Sequence, residues 1–312
     1  MHILKRAVNT NYFSLPLRGR VGVGVLAVGL LSACAGVTAP AAARSETPQQ
    51  SLSTTGKEMA KLQSARFDLT GTVTLTLPQQ LVDQLKAKAG SQGSFLTSNM
   101  TVQLTISGAA QKPDKLDATI EAKLGGLTVN TEVIAAGGGL YYKDPMTLKW
   151  EAITRPHANA SSASKPKLSY QAVLDTAKSV TEINDQPSTI NGVTVDHYRI
   201  VPDLVKLFAQ VTADHPAKNP QAMAAIQALL QNASLTADVW TGSSDHLIRR
   251  LSYDADVTAD LSALAAAFGA KAASRAGFTI PAGSTAHLTA HVVLNLHDFN
   301  SKVTIKAPTV GS

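Results

Sequence analysis

The sequence predicts an α+β protein built on one large, curved antiparallel sheet whose apolar face is covered by helices. Three observations support this prediction. Long segments alternate between apolar and polar side chains, which is the pattern of strands with one buried and one wet face. Short turns rich in Gly and Asn join many of these segments, as in a meander. The strands and helices do not follow the regular βαβ order that a parallel sheet requires.

The strand prediction rests on segments in which apolar residues recur at every second position. In the first of them, Phe67, Leu69 and Val73 fall on one face, whereas Thr70 and Thr72 fall on the other. This period of two places one side of the strand against the core and the other in water. About ten antiparallel strands are expected. The segments are 66–77, 100–107, 116–124, 127–135, 140–143, 149–153, 180–184, 193–201, 235–241, 247–258 and 287–299.

Turn and helix signals separate these strands. Asn191 and Gly192 stand between two strand segments, and this dipeptide is typical of a two-residue hairpin turn. Pro202 occupies a favourable first-turn position for the helix that follows it. The last two helical segments are rich in Ala, which favours helix formation. Helices are expected at 57–65, 79–89, 169–179, 203–211, 221–232 and 261–275.

The N-terminal segment has the pattern of a bacterial lipoprotein signal. Four basic and no acidic residues occur in the first 33, and the apolar run 21–31 is too short to cross a bilayer. Residues 31–34 read Leu-Ser-Ala-Cys and match the lipobox, which implies cleavage before Cys34 and diacylation of its sulfur. Cys34 is the only cysteine, so an intramolecular disulfide is excluded. An ordinary secretory cleavage beside a chance cysteine, or a cysteine buried in a helix, are the alternatives.

Three segments organise the chain: a signal peptide at 1–33, a flexible linker at 34–56 and a single domain at 57–312. The linker is rich in Ala, Pro, Ser, Thr and Gln, and it lacks a periodic apolar face. Within the domain, 155–167 reads as a surface loop. Of 28 basic residues, the four in the signal peptide leave 24 against 22 acidic ones, and 5% of the chain is aromatic. This composition argues against nucleic acid as a partner.

The search for catalytic motifs is largely negative. The sequence has no Gly-x-Ser-x-Gly, no His-Glu-x-x-His and no phosphate-binding loop. The glycines at 137–139 lie between two strands, where a turn is expected, and the Ser-x-x-Lys match of Ser162 and Lys165 falls in a Ser-rich loop. Asp-His pairs at 196–197 and 245–246 could act as acid and base, but no nucleophile stands beside them. We therefore expect a protein that is not an enzyme and holds no cofactor.

One metal hypothesis can be framed on the last strand. His287, His291 and His297 share one face, but side chains on the same face of a strand are about 7 Å apart or more. Two of them could bind one ion only if another strand contributed ligands, and Asp254 and Asp256 could do so. A wet sheet face that carries polar residues is the simpler interpretation. No metal is expected.

The remaining feature that could serve a function is the set of apolar side chains on the helices. The helices offer many alanines beside larger apolar residues, and small side chains make a hollow under the helices feasible. An ordinary filled core is the alternative, and periodicity alone favours it. The residues expected to line a lipid pocket are Leu69, Val73, Leu104, Ile120, Val133, Val173, Leu174, Leu204, Phe208, Trp240 and Leu251.

A set of short motifs, in order along the chain, carries a resemblance to a known family. They are the lipobox at Cys34, 62–72, 139–142 with 149–150, 173–175, 190–193 with 198–200, and 237–240 with 245–248. In this order and spacing the chain resembles the LppX/LprG-type (LppX/LprAFG) lipoproteins of the mycobacterial and related bacterial cell envelope, within the wider class of LolA-like lipid carriers. Residues 78–98 and about 256–285 are helical insertions relative to the compact members.

The resemblance implies a half-barrel sheet with helices closing a hydrophobic pocket for acyl chains. It also implies a lipoprotein anchored at the extracytoplasmic face of the cell membrane, which carries or presents lipids or glycolipids with two or more acyl chains. The alternative is an interaction or sensor module of the envelope, with the same fold and a protein partner. A filled core would favour that alternative, because fold alone does not determine function.

Overall fold

The computed structural model describes residues 46–93, 96–153, 170–184, 189–212, 219–268 and 279–311. The signal peptide, Cys34 and its lipobox, most of the linker, and the loop with Ser162 and Lys165 lie outside these ranges.

Twelve strands form one antiparallel sheet in the described part of the chain. Eleven of them follow the order β6-β5-β4-β3-β2-β1-β12-β11-β10-β9-β7, and β8 pairs with β9 beside this path. The predicted α+β class and antiparallel sheet are therefore confirmed. The strands are β1 Ser64–Thr76, β2 Asn99–Gln111, β3 Lys115–Leu124, β4 Leu127–Ala136, β5 Gly139–Lys143, β6 Trp150–Ala152, β7 Ala177–Glu182, β8 Thr189–Ile190, β9 Val193–Pro202, β10 Ser234–Gly242, β11 Ile248–Asp260 and β12 Thr285–His297.

The strand register places the alternating apolar residues of neighbouring strands on one face. Leu69 of β1 is opposite Ile106 of β2 and Leu294 of β12. Ile106 is in turn opposite Ile120, and Leu294 is opposite Leu251. Since directly opposite residues in an antiparallel pair point to the same side of the sheet, these residues form one continuous apolar face.

Six α-helices accompany the sheet in the described residues. They are α1 Pro48–Lys61, α2 Gln79–Ala89, α3 Tyr170–Asp175, α4 Leu204–Thr212, α5 Pro220–Gln231 and α6 Leu261–Phe268. Helix α3 is shorter than predicted because the chain enters β7 at Ala177, where the pairing with β9 supplies the backbone hydrogen bonds. Only 261–268 of the predicted helix 261–275 lies within the described residues.

Helix α1 begins inside the stretch that the sequence assigned to the linker. Thr47 caps it, accepting a hydrogen bond from the Gln50 N–H while the Gln50 side chain accepts one from the Thr47 N–H, and Pro48 occupies the first turn. Leu52, Thr55 and Met59 face the core at helical spacing. The prediction missed this face because two of its buried positions are the small polar residues Ser51 and Thr55.

The filled part of the core lies under α1 and α3. Leu52 and Leu174 from these helices are 0% and 1% exposed and pack against the apolar sheet face. The sheet contributes Phe67, Ala118, Tyr198, Ile200, Ala237, Val239, Leu251, Leu294 and Leu296 to the same cluster. The beginning of β1 and the end of β12 therefore belong to a close-packed core.

Candidate functional site

The apolar face of the sheet continues beyond this filled core. Further along β1, Val73 is opposite Val102 and Ala290, and Leu75 lies beyond it on the same side. These side chains are only half-buried, unlike those at the beginning of the strand. The other half-buried members of the face are Met100, Leu104, Ile120, Ala122, Leu124, Val129, Val133, Val257, Leu288 and Val292. The sheet thus has a filled half and a half-exposed apolar half.

Helices α4, α5 and α6 form a layer whose large apolar side chains are also only half-buried. Neighbouring helices from α3 to α6 contact one another in succession, and α5 and α6 contact β11. The Asn219 side chain accepts hydrogen bonds from the first turn of α5 and donates one to the Ala267 carbonyl of α6 at 2.9 Å. Only the small Ala222 and Ala267 are fully buried among the described side chains of the three helices.

The large apolar side chains of this helix layer remain half-buried. They are Leu204, Val205, Leu207, Phe208, Met223, Ile226, Leu229, Leu230, Leu261 and Leu264. A close-packed core would bury such residues almost completely. We call the half-exposed half of the sheet face together with this helix layer the apolar trough.

Ten of the eleven predicted pocket residues are divided between the trough and the filled core. Val73, Leu104, Ile120, Val133, Leu204 and Phe208 belong to the trough. Leu174 and Leu251 are at most 2% exposed within the filled core, and Leu69 and Val173 pack against that core. The residues of the filled core can support the wall of a pocket, but their side chains have almost no exposed surface for contact with a ligand.

Trp240 lies on the other side of the sheet and does not line the trough. It is opposite His197 of β9 and stacks on the imidazole with ring centroids 4.1 Å apart and planes 13° apart. Its neighbour Val239 points to the apolar side and is 1% exposed. Alternation along β10 is the reason, because Leu235, Ala237 and Val239 occupy one parity and Trp240 the other.

Beside Trp240, the buried carboxylate of Asp238 contacts an arginine and a histidine. Arg199 donates two hydrogen bonds to Asp238, at 2.8 and 3.1 Å, and His197 Nε2 lies 3.2 Å from the same carboxylate. The guanidinium of Arg250 lies 5.8 Å from the Trp240 ring. Such a satisfied polar cluster stabilises this end of the sheet and contains no nucleophile.

Two histidines of β12 each contact one aspartate, whereas His297 lies 3.0 Å from Asp68 and 3.1 Å from Asp298. His287 lies 2.9 Å from Asp256 and His291 lies 2.6 Å from Asp254, both on the exposed polar face. Within the described ranges, no three His, Cys, Asp or Glu side chains come close enough together to hold a metal ion.

Two cavities open away from the trough. The larger, of about 650 Å³, lies near the end of β12 and is lined by residues that include Arg249, Arg250 and Asn295. The smaller, of about 280 Å³, lies on the polar face beside Asp254 and His291. Their charged linings suit polar solutes and not acyl chains.

Three tyrosines lie on the apolar side of the sheet or on helix α3, which packs against that side. Burial raises the pKa of Tyr253 to about 12 and raises the pKa values of Tyr170 and Tyr198 as well. The alternation of β9 and β11 places Tyr198 and Tyr253 on the apolar face. Tyr198 belongs to the filled core, and Tyr170 and Tyr253 pack against it.

Comparison with known proteins gives structural matches only. No protein-family model and no curated protein matches the chain. The structure of LprF from Mycobacterium bovis is similar with 15% sequence identity and a TM-score of 0.39, over 85% of this chain and 97% of that one. A DUF1329 family protein from Desulfovibrio piger is similar with 9% identity and a TM-score of 0.23, over 83% and 93% of the two chains.

LprF is a member of the LppX/LprAFG family that the sequence resembles. Both TM-scores lie below 0.5, so neither superposition establishes a ligand or an activity. The architecture rests on the strand register described above. Among the helices that the structure describes, none is both long and apolar enough to cross a membrane.

Proposed function

We propose that this chain is a membrane-anchored, extracytoplasmic lipoprotein that binds lipids or glycolipids in the apolar trough and carries or presents them in the cell envelope. The observation that supports this most is the trough itself. Helices α5 and α6 contact β11, and the large apolar side chains of α4–α6 and of the trough half of the sheet face stay half-buried. Acyl chains are the ligand whose surface would complete that burial.

The free energy of lipid binding is better suited to transfer of a lipid than to its permanent retention. Burying acyl surface is worth about 25 cal/mol per Å² relative to water. A bilayer offers the same chains an equally apolar environment, so the net free energy of moving a lipid between bilayer and trough is small. A ligand with two or more acyl chains can therefore be taken up and released. Among the described side chains of α4–α6 only Ala222 and Ala267 are buried, so little burial is lost when these helices move apart to admit it.

The anchor belongs to the same proposal. Diacylation of Cys34 would hold the protein at the outer face of the cell membrane, since two acyl chains give stable attachment where one does not. The chain needs neither cofactor nor catalytic group for this role. A Cys34→Ser variant is expected to lose acylation and to leave the membrane fraction, and mass spectrometry of the Cys34 peptide tests this.

The decisive experiment measures lipid in the trough. The chain from residue 34 with Cys34→Ser contains every described residue and lacks the signal peptide. Native and denaturing mass spectrometry after a delipidating wash, followed by extraction, should show a stoichiometric lipid with two or more acyl chains. An empty, stable protein that also refuses offered lipid would overturn the proposal.

A matched pair of variants tests the location of the ligand. Ala290 is on the trough face, opposite Val73, whereas Thr289 beside it points to the polar face. Ala290→Trp should fill the trough and lower lipid content several-fold, whereas Thr289→Trp should not change it. Val73→Gln, which puts an amide in the trough, supplies a second test if Ala290→Trp folds poorly. Equal lipid content in both tryptophan variants would place the lipid elsewhere.

A further inference from the structure

The turn between β5 and β6 exposes two large apolar side chains. Met146 is 90% exposed and Leu148 is 65% exposed, whereas the charged residues of the turn, Asp144 and Lys149, stand at its base. The four residues at the tip, 145–148, read Pro-Met-Thr-Leu and carry no charge. We call residues 144–149 the hairpin tip.

The hairpin tip is built rigidly. The carboxylate of Asp144 accepts hydrogen bonds from the N–H groups of Met146 and Thr147 at 2.7 and 2.8 Å. The backbone of Asp144 accepts a hydrogen bond from the Leu148 N–H at 2.8 Å and donates one to the Lys149 carbonyl at 2.9 Å. The two hydrogen bonds that the Asp144 carboxylate accepts lower the pKa of Asp144, and the one from Thr147 has the larger effect. This network keeps the apolar side chains outward and prevents them from folding back onto the sheet.

Leu148 adopts a backbone conformation that leucine disfavours. Its φ is +58°, in the left-handed region that glycine and asparagine tolerate best. Glycine would make this turn with less strain, yet the position carries a large side chain that contacts water. Strain of this kind persists where the surrounding structure imposes it and marks candidate functional sites.

Amphipathic side chains stand directly behind the tip. The Lys143 ammonium lies 5.9 Å from the Trp150 ring and pairs with Glu132 at 2.8 Å. The Tyr142 hydroxyl donates to Glu151 at 2.6 Å. Tryptophan, tyrosine and lysine behind an apolar tip match the order of groups from the acyl region to the headgroups of a bilayer.

We infer that the hairpin tip inserts Met146 and Leu148 into the interfacial region of a lipid bilayer and so docks the domain on the membrane that anchors it. Eleven residues lie between Cys34 and Glu46, the first described residue, and a fully extended chain from Cys34 to Glu46 reaches roughly 40 Å. A tether of that length would keep the domain near the bilayer at high effective concentration, so two apolar side chains suffice for docking.

A bilayer fits the surroundings of the tip better than a pairing strand does. Gly311 N–H donates to the Trp150 carbonyl at 3.0 Å, so the C-terminal segment already covers β6 at that point. The nearby lysine Lys143 is balanced by Glu132, which gives no excess of positive charge. The docking is therefore apolar and expected on zwitterionic lipid. It rests on the proposed Cys34 anchor but not on lipid binding in the trough.

The test couples the unique Cys34 thiol of the chain from residue 34 to a maleimide lipid in phosphatidylcholine vesicles. Hydrogen peroxide oxidises exposed methionine to the sulfoxide, and peptide mass spectrometry gives the rate at each methionine. Met146 should be oxidised several-fold more slowly on vesicles than in the free chain. Met59, which is 3% exposed, is an internal reference for unfolding. The protection should persist in 0.5 M NaCl.

Two variants separate insertion from mere proximity to the vesicle. Leu148→Gly removes an inserted side chain while suiting the positive φ, so it should abolish most of the Met146 protection without lowering stability. Ile153→Gln alters a 42% exposed apolar residue at the base of the same hairpin and should keep the protection. Equal Met146 oxidation on and off vesicles, protection that survives Leu148→Gly, or protection lost in 0.5 M NaCl would each overturn the inference.

Failure of the docking inference can be distinguished from failure of the lipid-binding proposal. Lipid content of the trough, measured on the unlipidated chain, should be the same in Leu148→Gly and in the parent. A trough without lipid beside a protected Met146 would leave the docking inference standing. An unprotected Met146 beside a lipid-filled trough would reject the docking inference alone.

Discussion

Tyr198 of β9 donates a buried hydrogen bond, 3.0 Å long, to the Ser51 hydroxyl of α1. Ser51 is 4% exposed and lies one residue before Leu52, which is fully buried in the core. The bond therefore connects the first helix after the predicted tether to the sheet. This contact adds to the packing of Leu52 and Met59 that holds α1 against the filled core.

The two core tyrosines Tyr198 and Tyr170 should respond in opposite ways to loss of their hydroxyls. Tyr198→Phe removes a hydrogen bond and leaves the buried Ser51 hydroxyl without that partner, so the free energy of unfolding should fall by about 1 kcal/mol. The Tyr170 hydroxyl is buried and has no partner among the described residues. Tyr170→Phe should leave stability unchanged or raise it. Urea unfolding of both variants measures the difference, and an equal loss in both would contradict the assignment.

Stability should fall in alkali because of Tyr253. Its pKa in the folded state is about 12, against 10.0 for an ordinary tyrosine, because burial disfavours the phenolate. The folded state therefore keeps a proton that the unfolded state loses, and this stabilisation is complete below pH 10 and is lost as the pH rises through 12. The loss is roughly 2 to 3 kcal/mol. Urea unfolding at several pH values should show it, and Tyr253→Phe should remove the part due to Tyr253 and leave the part due to Tyr170 and Tyr198.

Two glycines of the apolar face should differ sharply in their tolerance of alanine. A Cβ on Gly108 would collide with the Asp117 carbonyl and lie 2.9 Å from the Phe67 ring, so Gly108→Ala should cost about 2 to 3 kcal/mol. A Cβ on Gly71 would lie 3.3 Å from the Val292 side chain and 3.6 Å from the His291 carbonyl oxygen. Gly71→Ala should therefore change stability by no more than about 1 kcal/mol. Thermal unfolding compares them, and comparable losses would be the contrary result.

The buried carboxylate of Asp238 should matter far more than an exposed one. Asp238→Ala removes the partner of Arg199 and His197 and should lower the free energy of unfolding by about 3 kcal/mol. Asp254 forms a similar short pair with His291, but both side chains are more than half exposed. Asp254→Ala should cost less than about 1 kcal/mol. If the two variants unfold at the same urea concentration, burial does not determine how much these side-chain pairs contribute to the free energy of unfolding.

Much of the sheet could be predicted because alternation acts locally. The odd-numbered residues of β1 and the even-numbered residues of β2 fell on the expected face, and Asn191 and Gly192 make the expected hairpin. The same parity could have excluded Trp240 from the pocket. Its stacking partner His197 lies about forty residues earlier in the sequence, so the contact between the two rings is not a local feature of the chain.

The start of α1 was harder to predict, because a helix with few large apolar residues is held mainly by what it packs against. Thr47 and Gln50 do supply a local capping signal. The burial of Leu52, however, depends on contact with strands that lie well over a hundred residues later in the sequence. Composition alone made that stretch look like linker.

The sequence by itself determined the period of each strand, and therefore which side chains share a face, because successive residues of a strand point to opposite sides. It also determined the absence of a second cysteine and the lipobox that predicts an anchor at Cys34. Only the tertiary structure decided where that apolar face is filled. Leu52 and Leu174 close one half, whereas Val73 and Phe208 remain half-exposed in the other, since burial depends on which distant helix covers each position.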